Sequence, residues 1–282
     1  MQILTFDIEE WFHLLDFDAT RTEAEWEKYE VRIYKNVERI FRLLEETDTK
    51  ATFFIIGWIA KRYPDLVREI AQRYQIGSHT MNHQLVWQQS PKAFREDVAS
   101  SIHRLEDVTG QRVTCFRAPG FSIRSSERWA FETLAELGIE YDCSIFPASH
   151  AHGGMPEYGA SEPAIIRCGK AEIREFPIST ESLLGRHVAF SGGGYFRLMP
   201  YRLIRHWSQR QADYLMAYIH PRDLDGDQPV LQGLSPMRRF RSYVGVKGAE
   251  KKLRRYLQDF CFADVATAAA QIDWNAVKEI RL

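Results

Sequence analysis

The chain has 282 residues, enough for one large α/β domain or two small ones. Its 45% apolar and 27% charged residues describe an ordinary soluble globular protein. A net charge of −1 gives no overall electrostatic case for nucleic acid or an anionic membrane, and no run of 18 apolar residues marks a membrane span.

Residues 1–7 read as a buried strand, and residues 34–46 as a helix with Val37, Ile40, Phe41 and Leu44 on one stripe. A second buried strand covers 51–57. Pro64 opens a helix whose Leu66, Val67, Ile70, Ala71 and Tyr74 recur at helical spacing, since proline suits a first turn. Residues 75–78 are short and strand-like. The next helix spans 91–108, with Phe94, Val98, Ile102 and Leu105 on one face and Gly110 as its stop. A strand at 113–116 ends at Arg117. Ser125 or Ser126 caps a helix ending near 137–138, and a strand beginning at 139 ends at Asp142. Beyond a loop at 146–163 come a strand near 173–176, a helix at 201–210, a strand at 214–219 ending at His220, and an amphipathic helix at 248–260. Strand and helix alternate, which predicts a parallel sheet. Polar groups at five strand ends (Asp7, His79, Arg117, Asp142, His220) predict a closed or nearly closed barrel with a site at that rim.

The densest chemistry lies at His79-Thr80-Met81-Asn82-His83, whose spacing places both imidazoles on one face of a helical turn. Asp7 and Glu9 are two residues apart on a strand, so both carboxylates leave the sheet on one side. One carboxylate and two imidazoles make a facial metal site, and the second carboxylate is left to take a proton: the outline of a metal-dependent hydrolase. Ser191-Gly192-Gly193-Gly194 lacks the Gly-Lys-Ser/Thr ending of a phosphate loop and reads as a tight turn. His150 and His152 are a weaker metal patch without a fitting carboxylate. Cys115, Cys143, Cys168 and Cys261 form no C-x-x-C pair and read as unpaired thiols of a reducing compartment. Asp7, Glu9 and Glu10 interrupt the N-terminal apolar run, so no signal segment is expected and the protein is read as cytoplasmic.

These residues, in this order, resemble the polysaccharide deacetylase (NodB-homology) superfamily, carbohydrate esterase family 4, over about residues 1–225. The resemblance is carried by Thr5-Phe6-Asp7-Ile8-Glu9-Glu10, His79-Thr-Met-Asn-His83, Arg117-Ala-Pro119-Gly120, Tyr141-Asp142-Cys143-Ser144 and Tyr218-Ile219-His220-Pro221. Segments in residues 176–260, among them Phe190-Ser-Gly-Gly-Gly-Tyr-Phe-Arg197 and Phe240-Arg-Ser-Tyr243, resemble the C-terminal extension of a bacterial branch linked to exopolysaccharide or O-antigen synthesis.

The resemblance implies a distorted (β/α)7 TIM-like barrel forming a single domain over 1–282, with an extension from about 176. It also implies one divalent metal ion, Zn2+ first and Co2+, Ni2+ or Mn2+ as alternatives, and removal of an N-acetyl group from a sugar. The chain departs from the family's Asp-Asp-Gly at Ile8, so the metal carboxylate is Glu9 or Glu10; strand alternation favours Glu9. Glu9, His79 and His83 are then the expected ligands. Asp7 is the general base, paired with Arg117, and His220 is the general acid, hydrogen-bonded by Asp142. Gly120 offers an N–H to the oxyanion, Thr80 a hydrogen bond within the histidine loop, and Trp11, Phe12 and Tyr195 rings for the cleft wall. The expected substrate is an N-acetylated sugar, nucleotide-linked, lipid-linked or polymeric. Two other readings are a metal-independent hydrolase of a non-sugar amide and a non-catalytic sugar-binding module.

Overall fold

The computed structural model describes residues 1–281 apart from 16, 150, 170 and 212, and leaves aside the side chain of Arg186. Its strands, in chain order, are β1 (Gln2–Ile8), β2 (Thr52–Ile55), β3 (Gln75–Ser78), β4 (Cys115–Phe116), β5 (Tyr141–Asp142), β6 (Ala164–Cys168), β7 (Ala171–Glu175), β8 (Glu181–Leu183), β9 (Arg186–Val188), β10 (Leu215–Ile219) and β11 (Lys278–Arg281). One sheet runs β10-β1-β2-β3-β4-β5-β7-β6-β11, and its first seven strands are all parallel. These seven are the staves of the barrel. The ring is joined not by a further ladder but by Tyr214 Oη donating to the Pro177 carbonyl (2.6 Å) and Met216 N–H donating to Ser179 Oγ (2.9 Å). That loose seam is the physical content of "distorted", and the fold matches the expected class.

Alternation along β1 divides the core in two. Leu4, Phe6 and Ile8 face the helical layer, where the helix Ile33–Glu45 presents Val37, Ile40, Phe41 and Leu44. Ile3 faces the barrel interior with Phe54, Cys115, Cys143, Phe176, Met216 and Tyr218. Residues of the same parity as Ile3, namely Thr5, Asp7 and Glu9, therefore rise up the inside of the barrel. The helix Val265–Ala269 closes the opposite end, with Val265, Ala268 and Ala269 in the interior cluster.

The helix Pro91–Thr109 has proline in its first turn, a Ser90 Oγ cap accepting from Ala93 N–H (3.2 Å) and left-handed Gly110 (φ 69°) as its stop. Three strand features lie outside the sequence reading. β6 pairs antiparallel with β7 around Gly169 (φ 59°), β8 and β9 form a separate hairpin, and β11 adds to the outer edge of β6. The four cysteines are free. Among the described residues, no helix is long and apolar enough to cross a membrane.

Candidate active site

The histidine pair is not on a helical turn. β3 ends at Ser78, and residues 79–83 form an irregular loop in which Thr80 (φ 65°) and His83 (φ 54°) adopt left-handed backbone. The strain is tolerated because the loop is pinned. Thr80 Oγ1 accepts from His83 N–H (3.0 Å), and Asp97, on the helix Pro91–Thr109, accepts from the N–H groups of Met81 (3.0 Å) and Asn82 (3.1 Å). The i, i+4 spacing was thus right about convergence and wrong about its cause: an acid fourteen residues downstream of His83 folds the loop.

The two imidazoles meet Glu9. Its Oε1 lies 3.2 Å from His79 Nε2 and 2.9 Å from His83 Nε2, and these donor atoms all fall within 4.8 Å of one another. His79 Nδ1 is 2.7 Å from the Arg117 carbonyl, which can only accept. His79 Nδ1–H therefore donates to that carbonyl, which fixes the ring with Nε2 aimed at the carboxylate, an orientation suited to a metal ligand. Nitrogens and a carboxylate oxygen this close are bridged by an imidazole proton or by a metal ion. The spacing fits one: ligands at about 2.0–2.2 Å in a tetrahedral shell stand roughly 3.3 Å apart. Burial pushes the Glu9 carboxyl up, but His83, His220 and His79 outweigh burial and hold it well below the usual range.

Glu10 is excluded as the ligand. Its Oε1 accepts from Arg32 N–H (2.8 Å) and Ile33 N–H (2.9 Å), the first N–H groups of the helix Ile33–Glu45. Burial still raises its pKa to about 7. Behind His83 stands His13, buried among Trp26 (4.4 Å between centroids) and Trp58 (5.3 Å). Its Nδ1 accepts from Glu10 N–H (3.3 Å), its Nε2 has no partner, and burial with the nearby His83 keeps it neutral.

Asp7 joins the site from the same face of β1. Arg117 Nη1 donates to Asp7 Oδ1 (2.7 Å) and to Thr5 Oγ1 (2.7 Å), and its Nε donates to the Cys143 carbonyl (3.1 Å). The guanidinium is fully buried and lies 4.4 Å over the Phe54 ring. Burial opposes its charge; the Asp7 carboxylate more than restores it. The pairing predicted from sequence is present, and it leaves Asp7 Oδ2 facing His220 Nε2 at 3.8 Å.

His220 is not held by Asp142. Its Nδ1 lies 3.0 Å from Asp223 Oδ2, and the same oxygen accepts from His220 N–H (2.9 Å) in a capping box. Arg197 Nε sits 2.9 Å from the other Asp223 oxygen. Burial lowers the imidazole pKa, but Glu9, Asp223 and Asp7 prevail and raise it to about 9. Asp142 instead accepts from Ser144 Oγ (2.6 Å), whose oxygen accepts from Ala118 N–H (2.8 Å), so it braces the Arg117-to-Gly120 loop. A strand-end position misled the reading of Asp142. The His-Pro-x-Asp spacing is a helix-start signal that points to Asp223, and nothing local assigns Arg197 to it.

The three expected aromatics separate. Trp11 and Phe12 are buried in the outer core, Trp11 donating from Nε1 to the Glu30 carbonyl (2.9 Å) and packing edge-on to Tyr29, so neither is a cleft wall. Their apolar neighbours on the helical layer win over exposure. Tyr195 is 43% exposed. The expected tight turn at Gly192-Gly193-Gly194 is instead a helix start: Gly192 bridges to Tyr218, and Gly193 opens the helix Gly193–Leu198 that carries Tyr195; a side chain at Gly192 would collide with the Tyr218 ring at 2.1 Å, and Tyr218 lies edge-on to His220 at 5.8 Å. Gly120 is left-handed (φ 60°) beside Leu15 and His152. His150 lies outside the described residues.

Residues 14–141 match the polysaccharide deacetylase family profile, and residues 143–270 match a domain of unknown function, DUF3473. The first match contains both histidines and Arg117; His220, Asp223 and Arg197 fall in the second. A peptidoglycan-N-acetylglucosamine deacetylase of Bacillus cereus is 44% identical over 124 residues, 43% of this chain and 45% of that protein. Another protein of that name from the same organism is 30% identical over 103 residues, 36% of this chain and 46% of that one. The chain thus spans about half the length of these curated relatives. A crystallised polysaccharide deacetylase candidate from Mycobacterium smegmatis shares the fold, with TM-score 0.65 at 16% identity over 100% of this chain and 94% of that one. A family 4 carbohydrate esterase pseudoenzyme from Bacillus anthracis gives TM-score 0.50 at 13% identity, over 95% and 64%. By profile and relatives, residues 14–141 are similar to the polysaccharide deacetylase family, and the architecture shares its fold with the solved structures.

Proposed function

We propose that the protein removes the N-acetyl group from a sugar of a bacterial surface polysaccharide or its precursor, using one divalent cation, with Zn2+ the first candidate, held by Glu9, His79 and His83. The supporting observation is convergence: His220 Nε2 stands 3.8 Å from Asp7 Oδ2 and 3.8 Å from Glu9 Oε1, and Glu9 in turn touches both imidazoles. Base, ligand set and acid share one pocket. A bound divalent cation supplies a Lewis acid for the amide carbonyl and acidifies a water.

The chain's own residues supply the proton traffic. Asp7, with Oδ1 occupied by Arg117, uses Oδ2 to accept the proton of the attacking water. His220, its Nδ1 fixed by Asp223, directs Nε2–H into the pocket and delivers it to the departing amine, which cannot leave as an anion. Gly120 N–H is the proposed oxyanion donor and Tyr195 the proposed sugar-facing ring. The free thiols support a reducing compartment, hence a cytoplasmic site of action on a precursor, which cell fractionation tests.

The test is acetate release from N-acetylated oligosaccharides, sugar nucleotides and lipid-linked glycans, with metal analysis of the same preparation. Activity that survives complete metal removal would refute the metal-dependent reading. No acetate from any substrate at full metal loading would refute the deacetylase.

A further inference from the structure

Residues 182–212 and 228–249 contain no aspartate or glutamate, yet hold nine of the chain's 37 lysines and arginines. In a protein with 38 acidic residues, that is a segregation of charge which the net value of −1 conceals. The fold gathers parts of both stretches into one face. Arg197 donates to the carbonyls of Ser242 (2.8 Å), Arg241 (3.1 Å) and Val244 (3.2 Å), tying the short helix Gly193–Leu198 against the helix Pro236–Tyr243.

The helix Pro236–Tyr243 has no buried residue. Met237 and Phe240 lie one turn apart on it and are 60% and 54% exposed, and Leu198 on the adjoining helix is 51% exposed. Arg239 and Arg241 are exposed around them. Large apolar side chains left in water and framed by arginines, on stretches of sequence free of acids, are the composition of an interfacial surface. The face is close to the pocket. Arg238 of the same helix bonds to the Leu15 carbonyl, and Leu15 packs on Gly120. Arg197, which ties the two helices, is also the residue that braces Asp223 behind His220.

We infer that this face docks on an anionic lipid surface. Charge selects the occupant. A second copy meeting it face to face would set arginine against arginine, and a glycan would leave Met237 and Leu198 unused. An anionic bilayer accepts both: arginines reach the headgroups while Met237, Phe240 and Leu198 enter the acyl boundary. The inference stands apart from the proposed activity. Where that activity holds as well, docking narrows the carrier of the sugar to one anchored in the membrane.

The test is co-sedimentation of the full chain with phosphatidylcholine vesicles, with and without phosphatidylglycerol, at low and high salt. Binding is expected only with phosphatidylglycerol and is expected to weaken with salt. Met237→Asp/Phe240→Asp and Arg239→Glu/Arg241→Glu should each lower the bound fraction about tenfold. Thermal unfolding and acetate release from a soluble oligosaccharide should be unchanged, which separates failure of docking from failure of the enzymatic reading. Absence of binding, binding indifferent to lipid charge, or variants that bind like the parent would overturn the inference. So would a concentration-dependent dimer abolished by Met237→Asp/Phe240→Asp, which would assign the face to a second copy.

Discussion

Two pairs of buried carboxyls stand at strand ends on the same barrel rim, and their surroundings give them opposite states. Asp7 and Glu9 are met by Arg117, His79, His83 and His220. Asp142 and Glu175 sit side by side on β5 and β7, their nearest bonds coming from Ser144 and the Ile145 N–H. Glu175 Oε2 has no other partner, and both Asp142 oxygens accept from Ser144, so the shared proton sits on Glu175 and is directed at Asp142. Burial drives both of these carboxyls up; Asp142 pushes Glu175 further, well above its ordinary value, while the hydrogen bond from Glu175 holds Asp142 back. One pair is an ionised site that gathers cations. The other is a proton-sharing brace. Position along the strand is the same; the neighbours decide the chemistry.

The widest separation of the two pairs should appear in catalysis. Asp7→Asn is expected to lower kcat/KM for acetate release by about 1,000-fold, as loss of a general base does, with the fold retained. Asp142→Asn should cost less than about tenfold, because it acts on the Arg117-to-Gly120 loop through Ser144 and touches no reacting atom. Asp223→Asn belongs with the first pair and should cost about 100-fold, since His220 loses the partner that fixes its ring. Equal losses at Asp7 and Asp142 would erase the distinction.

Metal linkage gives the next largest contrast. Zinc at roughly 100 times its Kd stabilises a single-site protein by about 2.7 kcal/mol, or about 5 °C in a domain of this size. That rise in Tm should be seen in the parent and in Glu175→Gln. It should vanish in His79→Ala and His83→Ala, whose zinc content by elemental analysis should fall to background.

Asp7, Glu9 and Arg117 were legible because period-two alternation and strand ends are local rules, and β1 obeys them. The seven parallel staves were legible for the same reason. Convergence of His79 and His83 was legible, but the loop that achieves it was not, because its left-handed residues depend on Asp97 of another element. Asp142 and Asp223 were confused because a partner across space has no local signature. Trp11 was misplaced because an aromatic ring beside a site motif fits core and cleft equally well until its neighbours are known. β6 and β11 were missed because they extend the sheet beyond the staves, where no site residue draws attention to them.

The proton-sharing pair can be tested without catalysis. The folded chain holds a proton between Asp142 and Glu175 that the unfolded chain releases at about pH 4. Its contribution to stability is complete below that value and drains as pH rises toward the raised folded values. Glu175→Gln keeps the oxygen that accepts from Ile145 N–H and adds an N–H for Asp142, so it imitates the protonated acid at every pH. Urea unfolding at pH 8 should find this variant about 1–2 kcal/mol more stable than the parent, with the two curves converging near pH 4. A variant that is less stable at both pH values would mean that the acid is needed ionised, and the two carboxyl pairs would then be alike.

The smallest expected effect concerns how the rim meets the sugar. Tyr195 is 43% exposed on the helix Gly193–Leu198, whose first glycines pack against Tyr218, itself edge-on to His220. A ring there contributes binding that is the same in the ground and transition states, so its removal should appear in KM alone. Tyr195→Ala is expected to raise KM about three- to tenfold with kcat nearly unchanged, in keeping with the loss of one stacked aromatic face. Tyr195→Phe should recover the parent KM if the face of the ring is what matters, whereas recovery by neither variant would assign the contact to the hydroxyl. A fall in kcat of the same size as the rise in KM would instead place Tyr195 with Asp223 and Arg197, as a support for His220 rather than a contact for the substrate.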